Sequence, residues 1–324
     1  MPTPFILDTD TAQDDCIAII VSMLDPEADL RAVTMVAGNV GFEQQVRNAH
    51  LTLNALGHLG EVPIYLGCTQ PMVVPWVSAE NVDGTGTGRL DMDFEGCDAE
   101  TEHAVDALIR ITAASPGEIS IVAIGPLTNI AMACVKEPSF ARNVKELVIM
   151  GGSNNGRGNI TAAAEFNFYV DPHAARKVFE AGFEKITVIP WAPLTLNDAV
   201  FSREMIAGIG EQGTVLSKFF VEVTRATLEF DERVGIHGST HPDSLAVATL
   251  LHPDMALEVG DYHVAVEADS ALTRGYSAMS WGVHGLEPNA RVVEKADGQR
   301  FYEYIKDLFA TETQPNRPFT SGLD

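Results

Sequence analysis

The stretch PFILDTDTAQDDCIAIIVSMLD, residues 4–25, decides the fold class of this chain. It opens with a short apolar run, PFILD (4–8), which predicts a buried strand. It closes with DDCIAIIVSMLD (14–25), whose apolar spacing predicts a helix. Four carboxylates lie at the junction of these segments, at Asp8, Asp10, Asp14 and Asp15. Because carboxylates held this close repel one another, and an apolar setting makes their ionisation costlier, the junction poses the question of what holds them together.

The same strand-then-helix pattern recurs along the first two-thirds of the chain. Further strand-like segments are LRAVTMVAGN (30–39), VPIYLG (62–67), ISIVAIG (119–125), VKELVIMGG (144–152) and ITVIP (186–190). Helix-like segments between them are FEQQVRNAHLTLNAL (42–56), HAVDALIRITAAS (103–115), LTNIAMACV (127–135) and HAARKVFEAG (173–182). This alternation predicts an α/β fold with right-handed βαβ units and a mostly parallel sheet flanked by helices. Ligands of such sheets bind beyond the carboxyl ends of the strands, which is where the acidic junction lies.

The composition excludes several classes of protein. The chain has 324 residues, of which 46% are hydrophobic, 27 are Gly and 17 are Pro, as in ordinary globular proteins. A formal net charge of −24 argues against a nucleic-acid surface, which needs basic groups for phosphates. We expect neither a membrane span, since no run of about 18 uncharged apolar residues occurs, nor a signal peptide, since MPTPFILDTD has no basic n-region. The four cysteines lack CxxC spacing, which predicts reduced thiols in a cytoplasmic protein.

Two long segments interrupt the alternation. Residues 73–100 are rich in Gly and Asp, and residues 229–243 separate two helical segments. Long loops at the functional face often act as lids, so we expect both beside the site. Residues 311–324 predict an irregular C-terminal tail.

Three interpretations of the acidic junction are open from these residues. Acidic residues at a helix N-terminus favour the macrodipole, which explains Asp14 and Asp15 but not Asp8 and Asp10. The letters DTDTA resemble the Asp-x-Asp signature of haloacid-dehalogenase-type phosphotransferases, although Ala12 replaces the expected Thr or Val and no later set of Lys and paired acids stands out. The third interpretation is a hard-cation site, because Ca²⁺ takes six to eight oxygens from carboxylates, carbonyls, waters and ligand hydroxyls. A water held beside a carboxylate by such an ion is poised for hydrolysis.

Polar groups of later segments are candidates for the same site. They lie at the end of a predicted strand, in a loop or at the start of a predicted helix, and they are Asn39, the carbonyl of Ile124, Asn159, Glu165, Asn167 and Asp243. Amide and carboxylate side chains suit sugar hydroxyls, whereas a carbonyl suits a hard cation. Taken singly, each residue has a structural explanation, such as a turn or a helix cap.

Together, however, the motifs form one ordered set: DTDxxxDDxxAI, VAGN, GPLTNIAMA, IMGG, GNxTxxAEFNFxxDPxAA and a late Asp before an apolar helix. This set resembles the inosine–uridine-preferring nucleoside hydrolase family, from about residue 4 to about residue 310. The resemblance implies a single Rossmann-like α/β domain over residues 1–310. It further implies Ca²⁺-dependent hydrolysis of the N-glycosidic bond of ribonucleosides, and a homodimer or homotetramer.

The resemblance also implies roles for individual residues. Asp10 and Asp15 would bind Ca²⁺ with the carbonyl of Ile124 and the carboxylate of Asp243, and Asp10 would take the proton of a Ca²⁺-held water. The residues that would hold the ribose or line its pocket are Asp14, Asn39, Met150, Asn159, Glu165 and Asn167. Asp8 would support the site from behind. Anionic surroundings suit the positive charge that builds up on ribose as the glycosidic bond breaks.

The sequence departs from the family pattern on the nucleobase side. Thr11-Ala12 replaces the usual Pro-Gly, Asp83 replaces a first-loop His, and Pro242 replaces the His before the late Asp. The familiar LDLT motif reads APLT (192–195). The candidates for contacts with the base are Asp83, Arg233, His237 and His241.

The substrate prediction follows from these losses. Purines can be protonated at N7, whereas pyrimidines depend more on a well-placed acid, so we expect a purine preference. Thr11-Ala12 adds the possibility that 2′-substituted ribose is accepted. The alternatives are a pyrimidine-specific or broad-specificity hydrolase and a nucleoside-binding protein without catalysis.

Overall fold

A computed structural model describes residues 1–320, apart from the side chain of Asp83. Its strands are β1 (Thr3–Thr9), β2 (Ala28–Met35), β3 (Ile64–Leu66), β4 (Asp91–Met92), β5 (Ser120–Ala123), β6 (Leu147–Met150), β7 (Ile186–Ile189), β8 (Val200–Phe201), β9 (Ser239–Thr240), β10 (Ala256–Val266), β11 (Ser277–Trp281), β12 (Ala290–Ala296) and β13 (Phe319–Thr320). Its helices are α1 (Gln13–Leu24), α2 (Phe42–Leu56), α3 (Glu80–Asp83), α4 (Ala104–Ala114), α5 (Thr128–Lys136), α6 (Phe140–Asn143), α7 (Phe166–Val170), α8 (Pro172–Phe179), α9 (Leu196–Asp198), α10 (Arg203–Gly210), α11 (Val215–Arg233), α12 (Pro242–Leu251) and α13 (Gly298–Phe309).

Nine strands of the described chain form the central sheet, in the order β11-β10-β12-β7-β6-β5-β1-β2-β3. Neighbours from β3 through β7 to β12 are parallel, and only the pairs that involve β10 are antiparallel. The chain proceeds outward from β1 to β3 on one side and from β5 to β7 on the other, so the strand order reverses between β1 and β5. This switch point is where ligands bind in open α/β sheets. The prediction of a mostly parallel, Rossmann-like sheet is therefore confirmed.

The alternation of side chains along β1 builds a core on each face of the sheet. Phe5 and Leu7 face one core with α1, α12 and α11, whereas Ile6 faces the other with α4, α5 and α8. Helix α12 is buried along its whole length because it packs against α1 and over the central strands. This burial fixes the N-termini of α1 and α12 beside the end of β1, where the acidic residues lie.

The structure corrects the predicted loops. Helix α2 has the predicted limits, but α11 continues to Arg233, so the first five residues of the predicted loop 229–243 are helical. The helix continues through EFDER (229–233) without a break, whereas the charged residues of this segment led to its prediction as a loop. In residues 73–100 the structure forms α3 and β4.

The described part of the tail, residues 311–320, is irregular apart from a two-residue strand, and it is held against the rest of the chain. Its strand β13 pairs with β4. The Asn54 side chain accepts a 2.8 Å hydrogen bond from the backbone N–H of Arg317 and donates one of 3.1 Å to the Arg317 carbonyl. Residues 321–324 of the predicted tail lie outside the described residues. No helix within residues 1–320 is long and apolar enough to cross a membrane.

Candidate active site

A cavity of about 300 Å³ opens at the switch point, a size at the lower end of ligand pockets. Its polar lining comes from segments at or after the ends of β1, β2, β5 and β6 and from the start of α12. These residues are Asp14, Asp15, Asn39, Ile124, Met150, Asn159, Glu165, Asn167 and Asp243. Apolar and aromatic residues and the end of α11 also contribute to the lining, with Val82, Ile160, Phe166, Trp191, Thr227, Phe230, Asp231, Val234, Ile236 and Thr240. The structure thus brings together every residue that was expected to hold ribose.

Asp10 lies behind the cavity wall and is joined to residues that form it. Its side chain is fully buried, and its Oδ2 accepts a hydrogen bond of 2.9 Å from the backbone N–H of Asn39. A side-chain hydrogen bond also links it to Asp15. Two glycines leave room for this carboxyl, because a Cβ added at Gly38 or Gly125 would lie 1.9 or 2.7 Å from one of its oxygens.

Asp15 is the third residue of α1 and folds back onto the turn before that helix. Its Oδ1 accepts a 2.6 Å bond from the Thr9 hydroxyl, and its Oδ2 accepts bonds of 3.1 and 3.2 Å from the Ala12 N–H and the Asn39 amide. Burial raises its pKa to about 6, and these hydrogen bonds oppose the rise. Asp15 is therefore positioned firmly while its ionised form remains costly.

Asp14 has a role that the resemblance did not indicate. Its Oδ2 accepts bonds of 2.6 and 3.2 Å from the backbone N–H groups of Asp243 and Ser244, and its Oδ1 accepts a 2.8 Å bond from the Ser244 hydroxyl. His241 Nδ1 lies 3.1 Å from the same Oδ1. Since a carboxylate has about four lone-pair sites, these contacts occupy most of them. Asp14 clamps the N-terminus of α12 and so positions Asp243.

Asp243 is the residue at which the electrostatic conflict is greatest. Burial raises its pKa well above the ordinary value, and the charges of Asp15, Asp14, Asp10 and Glu165 raise it further. A buried carboxyl surrounded by four others cannot ionise easily unless positive charge comes near. Positive charge in this cavity would lower that cost.

Glu165 and Asn167 form another part of the cavity wall and hold its backbone in place. Glu165 caps α7 by accepting bonds from the N–H groups of Asn167 and Phe168, at 2.7 and 3.2 Å, and it accepts a third from Gly152 at 2.8 Å. Burial nevertheless raises its pKa to about 7. The Asn167 amide donates to the carbonyl of Ile124 at 2.8 Å, and that carbonyl retains a second lone pair.

Two remaining residues of the ribose set differ in setting. The Asn167 amide also reaches the Met150 carbonyl at 3.2 Å, so Met150 both lines the cavity and fixes that amide. Asn159 is exposed at the rim. Asp8 is buried and is not a lining residue, and it accepts bonds from Thr34 at 2.5 Å and Asn129 at 2.8 Å.

Three of the four candidates for the nucleobase are not brought to the cavity. Arg233 and His237 are exposed and are not among the described lining residues, because α11 ends at Arg233 and turns it over the ring of Phe230. His241 is buried against Phe201, with ring centroids 4.5 Å apart, and it contacts Asp14 instead of the cavity. The side chain of Asp83 lies outside the described residues.

Asp231 and Thr227 are lining residues that sequence reasoning missed. They lie one turn apart on α11, and Val234 continues the same face. This helical spacing was the available signal, and it was hidden because residues 229–233 were interpreted as a loop.

No group of three or more His, Cys, Asp or Glu side chains in the described part of the chain forms a ready metal site. The carboxyls of Asp10 and Asp15 are instead turned toward the hydrogen bonds described above.

Comparisons with known proteins agree with this geometry. The family model of inosine-uridine preferring nucleoside hydrolase matches residues 5–303. The chain is 34% identical to the pyrimidine-specific ribonucleoside hydrolase RihB of Escherichia coli, over 93% of this chain and 95% of that protein. It is 32% identical to the pyrimidine-specific ribonucleoside hydrolase RihA of Citrobacter koseri, over 96% and 99%.

A solved structure extends the comparison. The purine-preferring ribonucleoside hydrolase from Gardnerella vaginalis matches with a TM-score of 0.87 and 28% identity, over 95% of this chain and 98% of that one. Sequence family, curated relatives and fold point the same way. The chain is an enzyme of the inosine-uridine preferring nucleoside hydrolase family.

Proposed function

We propose that this enzyme uses Ca²⁺ to hydrolyse the N-glycosidic bond of ribonucleosides, with a preference for purines, to free base and ribose. The observation that carries the proposal is the position of Asp243, which opens on the cavity amid four other carboxyls that oppose its ionisation. Such an anionic cavity favours a substrate that becomes positively charged during the reaction. Cleavage of a glycosidic bond builds that charge on the sugar ring.

The donor set fits Ca²⁺ in its chemistry. Asp10, Asp15, Asp243 and the carbonyl of Ile124 offer oxygen alone, which hard cations prefer and which zinc sites seldom use exclusively. When bound, the ion would offset the carboxylate repulsion, hold ribose hydroxyls and make an attacking water more acidic. Burial and neighbouring carboxylates oppose the ionisation of Asp15 and Asp243, and a cation bound between them would offset that cost.

The chain's own residues account for the remaining steps. Asn159, Glu165 and Asn167 supply acceptors and donors for the ribose hydroxyls, and Asp14 holds Asp243 in place. We assign to Asp10 the acceptance of the proton from the attacking water, because it is joined to Asn39 and Asp15 at the cavity wall. Fixing ribose and water in this way converts an unfavourable encounter into an intramolecular step.

The names of the relatives do not decide the base, since both pyrimidine-specific and purine-preferring enzymes match. What supports a purine is the apolar part of the cavity, where the aromatic residues Phe166, Trp191 and Phe230 offer broad flat surface. Ala12, a small residue at the cavity wall, is where a 2′-substituent on ribose could be accommodated. Location in the cytoplasm and assembly as a homodimer or homotetramer stay predictions.

The test is a panel of inosine, guanosine, adenosine, uridine, cytidine and 2′-O-methyl ribosides, assayed with Ca²⁺ and with chelator. Wild-type enzyme should release base and reducing sugar in Ca²⁺, fastest from the purines. Asp243→Asn should lose most of that activity, whereas Asp261→Asn, at an exposed position, should not. Faster turnover of uridine or cytidine would overturn the purine assignment. Saturable binding without product would establish the nucleoside-binding alternative.

A further inference from the structure

Asp231 has no part in the roles assigned above, although it lines the cavity. It lies in the last turn of α11, and its residue is only 3% exposed. Its neighbours in the cavity wall are the apolar and aromatic residues Phe230, Val234 and Ile236. The side chains assigned to ribose lie on other segments, which leaves the carboxyl at this end of α11 for the group attached to ribose.

Thr240 fixes the orientation of this carboxyl. The backbone N–H and the hydroxyl of Thr240 both donate to Asp231 Oδ2, at 3.0 and 2.9 Å. Thr240 itself lines the cavity three residues before Asp243. With one oxygen anchored on both donors, the other oxygen is the one available to a ligand.

The surroundings keep this carboxyl from ionising readily. Burial raises the pKa of Asp231 to about 6, while the Thr240 bonds and the nearby His241 lower it. Its charged neighbours on α11, Glu232 and Arg233, are exposed. A carboxylic acid whose pKa lies near working pH is suited to donating a proton during the reaction.

A second polar group faces the same space. The hydroxyl of Thr227, one turn before Asp231, is buried and has no hydrogen-bond partner within the described chain. A buried hydroxyl left without a partner is costly, so its position indicates a ligand that supplies one. A nucleobase, with ring nitrogens and exocyclic groups along its edge, supplies partners to both side chains.

We propose that Asp231 is the acid that protonates the departing nucleobase. It would take the place of the two family histidines whose positions Asp83 and Pro242 occupy in this chain. The inference rests on the proposed function. As the C1′–N bond breaks, its electron pair stays on the base, and the proton of Asp231 passes to a ring nitrogen of that base. The water oxygen bonds to C1′ and gives its proton to Asp10. The products are the neutral base and ribose; Asp10 then releases its proton to water, and Asp231 regains one from water.

The test compares two substrates that differ in their need for an acid. The leaving group of inosine is hypoxanthine, which must be protonated as it departs. The leaving group of 4-nitrophenyl β-D-ribofuranoside is 4-nitrophenolate, which departs as an anion without help from an acid. Asp231→Asn retains an oxygen that can accept both Thr240 bonds, so the fold should persist. We expect its kcat for inosine to fall by about 10²–10⁴-fold and its kcat for the phenyl riboside to stay within about threefold of wild type.

Glu229→Gln, at an exposed position of the same helix, is the matched control and should leave both rates unchanged. Equal losses of Asp231→Asn on both substrates, or no loss on inosine, would overturn the assignment while leaving the proposed function intact. A wild-type enzyme that cleaves neither substrate would overturn the proposed function and this assignment with it.

Discussion

Gly38→Ala is the substitution that tests the placement of Asp10 most sharply. A Cβ at this position would lie 1.9 Å from Asp10 Oδ2 and 2.6 Å from its Cγ, whereas ordinary contacts begin at 3.4 Å. To restore an ordinary contact, the carboxyl would have to move away by about 1.5 Å, and the closely packed core around it resists that movement. Gly38 does not have a positive φ, so the effect is steric and not a matter of backbone strain.

The magnitude follows from this displacement. A misplacement of about 1 Å at a reacting group costs on the order of 10²-fold in rate, so we expect kcat to fall at least about 10²-fold, equivalent to about 2.7 kcal/mol in the barrier. Overpacking should also lower the free energy of unfolding by about 1–3 kcal/mol.

The assay measures nucleoside hydrolysis and urea unfolding for Gly38→Ala and for Gly41→Ala. Gly41 precedes α2, and a Cβ there meets nothing within 4 Å, so its variant should lose at most about 1 kcal/mol of stability and little activity. If folded Gly38→Ala kept more than about a tenth of wild-type turnover, Asp10 would not need its present position, and the reasoning would fail.

Three further outcomes are expected. Removal of Ca²⁺ with a chelator should abolish hydrolysis and added Ca²⁺ should restore it; stoichiometric zinc in the active enzyme would contradict the assigned ion. Hydrogen bonds from Tyr304 and His252 to Asp25 outweigh its burial and lower its pKa below the ordinary value of a carboxyl. The free energy of unfolding of wild type should therefore exceed that of Asp25→Asn by about 1–3 kcal/mol at pH 7. That advantage should shrink as pH falls through the lowered pKa, and urea midpoints that differ equally at pH 7 and pH 3 would refute it. Asn54→Ala should release Arg317 and the tail, at a cost of about 1–2 kcal/mol, and unchanged resistance of the tail to limited proteolysis would show otherwise.

The fold could be predicted because local pattern and tertiary environment agree in the first two-thirds of the chain. The apolar run before Asp8 is buried on both faces, and α2 has an apolar stripe bounded by Gly41 and Gly57, so its limits follow from the letters. The order of the strands, by contrast, depends on contacts between distant segments. The sequence predicts a mostly parallel sheet but not this order.

The site could be predicted only in part, for reasons that particular residues show. Asp10, Asp15 and Asp243 carry motif positions, so their assembly at one cavity was expected. The clamp of Asp14 on Ser244 depends on how α12 meets α1, which a sequence pattern does not specify. Asp231 was missed because the charged end of α11 was interpreted as a loop. In a helix, the spacing of Thr227, Asp231 and Val234 places all three on the face that lines the cavity.

The most direct measurement is product analysis with inosine in phosphate-free buffer containing Ca²⁺, for wild type and Asp10→Asn. The account predicts hypoxanthine and free ribose in equal amounts from wild type, and a rate for Asp10→Asn that is lower by at least about 10²-fold. Cleavage that required phosphate, or an Asp10→Asn enzyme as fast as wild type, would contradict the claim that this acidic site directs water onto the glycosidic bond.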